Sequence, residues 1–116
     1  MAETREAGNF RLVLVTTSSE EEATGIAKSL VEEGLAACAN IIPRIRSIYR
    51  WNGKVQDDPE CLVLLKTVLS KVDDLSARVA EQHSYDVSEV ISVALDRGRE
   101  SYLDWLSGCI QPARRE

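Results

Sequence analysis

The chain is poor in the residues from which catalytic and metal centres are usually built. It has one histidine, His83, and three cysteines, Cys38, Cys61 and Cys109, among 116 residues. An odd number of cysteines with no CxxC pair argues against a disulfide framework and predicts reduced thiols in the cytoplasm. There is no Gly-rich phosphate loop, no G-x-S-x-G elbow and no HExxH, so no motif points to an enzyme. No apolar run approaches the ~18 residues of a membrane span, and the opening MAETREAGN lacks the apolar segment of a secretory signal. A net charge of −5 speaks against nucleic acid or anionic lipid as partner.

The chain does carry enough apolar residues, 44% against 28% charged, for one domain with a sizeable core. Its organising stretch runs from Leu35 to Thr67. Asn52-Gly53 lies between two runs rich in apolar and β-branched residues, and both residues accept the positive φ of a two-residue hairpin turn. One long hairpin is therefore predicted, with Trp51 and Lys54 flanking its turn. Pro43 belongs at an edge, a bulge or a bend, the alternation slips near Arg46 and Ser47, and Asp57-Asp58-Pro59 should interrupt the return arm before Cys61–Leu65.

The remaining elements follow from local signals. Residues up to about Gly8 are polar and expected to fray, and 11–17 reads as a first strand. Helix one starts at an N-cap Ser19 with Glu22 in the capping-box position, buries Ile26, Ala27, Leu30 and Val31, and ends at Gly34. Helix two starts near Ser70, with Asp73 in the capping-box position, and runs to about Gln82. A fourth strand spans 89–95, Gly98 turns the chain, and a last helix carries Tyr102, Leu103, Trp105, Leu106 and Ile110 up to Pro112. The domain thus covers 10–112, between a flexible tail over 1–9 and a short tail over 113–116.

The order β-α-β-β-α-β is the ferredoxin-like α+β plan, an antiparallel sheet with two helices on one face. Its second face should alternate apolar with polar residues, yet Leu12–Val15, Cys61–Leu65 and Val90–Leu95 do not. Both faces ask for burial, which predicts an obligate homo-oligomer.

At the hairpin the sequence resembles the CutA family of divalent-cation tolerance proteins. LAACANIIP, SIYRWNGKVQDDPE and LLKT carry the resemblance, as do His83-Ser84-Tyr85-Asp86-Val87-Ser88-Glu89 and Tyr102-Leu103-x-Trp105. The resemblance implies a homotrimer with hairpins pairing across subunits and a role in tolerance to copper and other divalent ions. It marks His83 and Glu89 as metal-site residues, with copper or zinc as the bound ion and Tyr85 between them. The chain departs from the family at three places. Val15-Thr16-Thr17 stands where some members have a cysteine, Gln82 where some have a second histidine, and Ser84 where proline is usual.

The bland reading of His83 is a capping or interface residue, and that of Cys38 a small hydrophobe packed in a strand. Tyr49, Arg50 and Trp51 read as cross-strand or intersubunit packing, and Asp57, Asp58 and Glu60 as a solvated turn. A rival function is a regulatory or scaffold trimer similar to the PII proteins, with a small ligand or a partner protein in an intersubunit cleft. Lys66, Arg44 and Arg46 are then the candidate contacts for an anion.

Overall fold

A computed structural model describes residues 3–110. Strands β1 (Thr4–Glu6), β2 (Phe10–Thr17), β3 (Cys38–Trp51), β4 (Lys54–Val68), β5 (Ile91–Ala94) and β6 (Arg97–Arg99) are joined by helices α1 (Glu20–Glu32), α2 (Val72–Gln82) and α3 (Glu100–Gly108). The main sheet has the order β3-β4-β2-β5, with every neighbour antiparallel. Among the described residues no helix is long and apolar enough to cross a membrane.

The long hairpin forms as its turn residues demand. Asn52 and Gly53 sit at φ 50° and 75°, and Trp51 pairs directly with Lys54. Two expectations for its arms need correction. The register slips between Ile42 and Ile45, at Pro43 rather than at Arg46 and Ser47, and the Cys61 thiol donates to the Pro43 carbonyl there, at 3.0 Å. Asp57, Asp58 and Pro59 do not break the return arm but pair with Ile48, Ser47 and Arg46. β2 covers β4 only from Cys61 onward, so Pro59 has a single neighbouring strand. A residue with no N–H is tolerated at such an edge.

Helix α1 is capped as its sequence suggests. The Ser19 hydroxyl accepts the Glu22 N–H at 3.1 Å, and Gly34 takes φ 70° just past the helix end. Val31 is 39% exposed rather than part of the buried stripe. Helix α2 lacks the expected Ser70 cap, because a 3-10 turn over Leu69–Lys71 precedes it and Lys71 is its N-cap, with no side-chain capping bond. The core lies between these helices and one sheet face. Ile26, Leu30, Leu75 and Val79 pack against Val13, Val15, Val63 and Leu65.

The N-terminal segment is not a free tail. β1 pairs with β6, and the buried Ala7 and Phe10 join Leu103 and Leu106 of α3 in a second cluster. The polar side chains of Thr4–Glu6 hide this strand from a hydrophobicity reading, since its partner β6 is equally polar. Gly98 belongs to that pairing and makes no turn; a Cβ there meets Leu103 Cδ2 at 3.0 Å. Pro112, Arg114 and Arg115 lie outside the described residues.

The opposite face of the main sheet is covered by α3 only at its Phe10–Val68 end. Leu14 pairs with Leu64 on one side and Ile91 on the other, and Ile42 pairs with Leu62. Ile91, Val93 and Ile42 are 52%, 46% and 39% exposed, so this face is an apolar surface in the single chain.

One buried polar contact ties the hairpin to the helix layer. Thr67 is fully buried, and its hydroxyl donates to the Leu35 carbonyl at 2.7 Å. Thr67→Val keeps the shape and orphans that oxygen, so urea denaturation should show a loss of about 1–3 kcal/mol. An unchanged midpoint means the carbonyl finds another donor.

Candidate functional site

Three chain segments meet at one end of the sheet: the end of β2, the start of α1, and the stretch after α2. His83 is the C-cap of α2, with extended backbone and its N–H still bonded to the Val79 carbonyl. Its side chain is fully buried. Nδ1 accepts the Tyr85 N–H at 3.0 Å, and Nε2 lies 2.7 Å from the Thr16 carbonyl. A backbone N–H only donates and a carbonyl only accepts, so the proton sits on Nε2 and the imidazole is neutral.

Glu22 stands behind this ring, with Oε2 4.0 Å from Nδ1. Its carboxylate accepts from the N–H groups of Ser84, at 2.8 Å, and Ser18, at 3.2 Å. Burial pushes its pKa up, but these hydrogen bonds outweigh burial and leave it below the usual range. One glutamate therefore serves as helix cap and as anchor for the turn after α2. Only the first role is visible in the sequence.

Tyr85 packs its ring 4.6 Å from the His83 ring and donates its hydroxyl to Glu60 at 2.9 Å. Burial and that bond push the phenol pKa up, so Tyr85 stays a donor. Tyr49 likewise donates to Asp58 at 2.7 Å. Tyr85, Tyr49 and Trp51 then wall a cavity of about 440 Å³, which Glu60, Asp86 and Glu89 also line. Burial, together with the charge of Glu60, raises the pKa of Glu89 above the usual carboxylate range.

Of the two residues marked by the resemblance, Glu89 lines this cavity, and His83 supports its Tyr85 wall without lining it. Sequence reasoning placed Glu60 in a solvated turn and Tyr49 and Trp51 in cross-strand or intersubunit packing; in the single chain all three line this cavity. The continuous pairing of β4 through Pro59 is what brings Glu60 across to Tyr85. The alternation of Asp58 and Glu60 on one strand face was the available signal.

The fit of a resident copper or zinc ion follows from these donors. Both nitrogens of the one histidine are bonded to backbone, and no group of three or more His, Cys, Asp or Glu residues converges among the described residues. A metal at Nδ1 must displace the Tyr85 N–H, at a cost of about 1–3 kcal/mol for the orphaned donor. The described residues of one chain do not supply a closed shell for a soft or borderline metal.

The raised pKa of Glu89 has a consequence for stability. A carboxyl whose folded pKa lies above its unfolded value costs stability when ionised, and the cost disappears as pH falls through the folded pKa toward the unfolded one. Glu89→Gln should therefore raise the melting temperature at pH 7.5, with the gain shrinking toward pH 4. Calorimetric scans across that range check it, and a gain independent of pH defeats it.

A second cavity, of about 520 Å³, lies along the hairpin and is lined by Arg44, Ile45, Arg46, Asp57 and Pro59. Arg46 is held there by Asp57 at 2.6 Å. Lys66 is not part of it; its Nζ sits 3.5 Å from the Tyr102 hydroxyl.

Comparison with known proteins agrees with this architecture. The divalent-cation tolerance protein CutA of Thermus thermophilus is 50% identical over 95 residues, which are 82% of this chain and 92% of that protein. The structure of CutA from Synechococcus elongatus superposes with a TM-score of 0.90 at 34% identity, covering 95% of this chain and 97% of that one. A protein described as the periplasmic divalent cation tolerance protein CutA of Archaeoglobus fulgidus gives 0.85 at 33% identity, over 88% and 99% of the two chains. The model of the CutA1 divalent ion tolerance protein family matches residues 11–109, and the chain belongs to that family.

Proposed function

We propose that this chain acts in divalent-cation tolerance as a cytoplasmic, non-catalytic protein, and that its working form is a homotrimer of ferredoxin-like protomers. The strand order β3-β4-β2-β5, with α1 and α2 on one face, supports the ferredoxin-like reading. The uncovered apolar face supports assembly. Three free cysteines, Cys38, Cys61 and Cys109, suit a reducing compartment.

The observation that carries the cation reading is Glu89. Its carboxylate is held near Glu60, in a cavity that no Lys or Arg lines among the described residues. A divalent ion relieves that repulsion, so Glu89 is the proposed direct contact. His83 is the proposed second metal-facing residue, through Nδ1, with its Nε2–H on the Thr16 carbonyl fixing the ring as second-shell bonds do. Displacing the Tyr85 N–H lowers the affinity of that arrangement by roughly 5- to 150-fold, so ligands from neighbouring copies are needed for tight copper or zinc binding.

Calorimetric titration of chelator-stripped protein with copper(II) and zinc tests this. Binding should weaken at least tenfold in Glu89→Gln. Affinity unchanged in both Glu89→Gln and His83→Ala removes the site from this cavity. The cavity with Arg44 and Arg46 favours a second reading, a regulatory trimer similar to the PII proteins that binds a small anion. Stabilisation by nucleotides or organic anions, lost in Arg44→Ala, selects that reading.

A further inference from the structure

We infer that the cavity walled by Tyr49, Trp51 and Tyr85 binds a small quaternary ammonium ion, with Glu60, Asp86 and Glu89 supplying the counter-charge. The inference shares Glu89 with the cation reading above and rests on it for the sign of the ligand's charge alone.

Three features of the cavity suit it to an organic cation in addition to the metal ion that Glu89 would hold with ligands from neighbouring copies. Its carboxylates do not converge, since no group of three or more metal-ligating side chains is present among the described residues. A small hard cation needs several oxygens at short, fixed distances, whereas a diffuse organic cation is satisfied by carboxylates spread around it. The walls between those carboxylates are aromatic, and an indole or phenol face attracts an alkylated ammonium through its negative quadrupole while contacting its methyl groups. A volume of about 440 Å³ accommodates a small organic molecule and is far larger than a single metal ion requires.

The walls are also held in place. Tyr49 and Tyr85 each spend their hydroxyl on a carboxylate, Asp58 and Glu60, which fixes the rings and leaves their faces for a ligand. Tyr85 is backed by the His83 ring. Trp51, by contrast, is 57% exposed at the end of β3 in the single chain, with its indole face open to a ligand.

Choline and its neutral isostere 3,3-dimethylbutan-1-ol make the test. Each is titrated into intact, isotopically labelled protein in excess chelator, following the Trp51 indole and the Tyr85 and Val87 amides by NMR. Choline should give saturable shifts at these groups, and the alcohol should bind at least tenfold more weakly. Trp51→Leu keeps apolar bulk but removes the π face, and should weaken choline about fivefold or more, as should Glu89→Gln. Copper titration of the wild-type protein without chelator separates failure of this inference from failure of the metal reading, because copper binding without saturable choline shifts overturns this inference alone. No saturable shift with choline, equal affinity for the alcohol, or undiminished choline binding in Trp51→Leu overturns the proposal.

Discussion

Leu14→Asp should convert the proposed trimer into folded monomers at micromolar concentration. Leu14 lies mid-sheet on the uncovered face, between Leu64 of β4 and Ile91 of β5. If that face is covered by other copies, every copy must bury one carboxylate among leucines and isoleucines. The effective penalty for burying an unpaired ion is still several kcal/mol per copy, and closed symmetry repeats it at each interface. The protomer itself should survive, because the neighbouring Val13 and Val15, both fully buried, point to the helix layer instead. Sedimentation reads the assembly, and circular dichroism reads the fold. A trimer that persists in Leu14→Asp means this face is not the interface. The complementary substitution Val13→Asp should unfold the protomer, since it places the same charge against α1 and α2.

The same face shows how much of the fold was legible in the sequence. Unbroken apolar runs such as Leu12–Val15 announced that both sides of the sheet want burial, and the structure divides them as a period of two requires. Val13, Val63 and Leu65 are buried beneath the helices, while Leu12, Leu62 and Leu64 face outward half-buried. Asn52-Gly53, Ser19 with Glu22, and Gly34 were legible because each solves a local backbone problem with its own side chain or its lack of one. Non-local features were not. β1 pairs with β6 across more than ninety residues through polar strands, with no pattern to betray it. Pro59 reads as a breaker in the sequence because its edge position depends on where β2 stops. The site was half legible for the same reason. Glu89 and Tyr85 lie close in sequence to His83, but Glu60, Tyr49 and Trp51 reach the cavity only through the register of the hairpin.

His83 carries the other large effect. His83→Ala leaves the Thr16 carbonyl and the Tyr85 N–H without partners in a fully buried position, a loss of about 2–6 kcal/mol when each orphaned group costs about 1–3. Two isosteres divide the loss. In His83→Asn the side-chain oxygen takes the place of Nδ1 and accepts the Tyr85 N–H two residues on, as in an Asx turn. His83→Gln reaches instead toward the Thr16 carbonyl with its amide. Urea denaturation should therefore rank wild type above Asn and Gln, and both above Ala. Wild-type stability in His83→Ala would sink the assignment of the ring to these two backbone groups. The Asn variant also separates the two roles of the imidazole. It preserves the Tyr85 wall while removing a metal-binding nitrogen. Copper affinity that falls as far in Asn as in Ala marks His83 as a ligand. Affinity retained in Asn and lost in Ala marks it as the residue that positions Tyr85, and leaves the cation to the carboxylates.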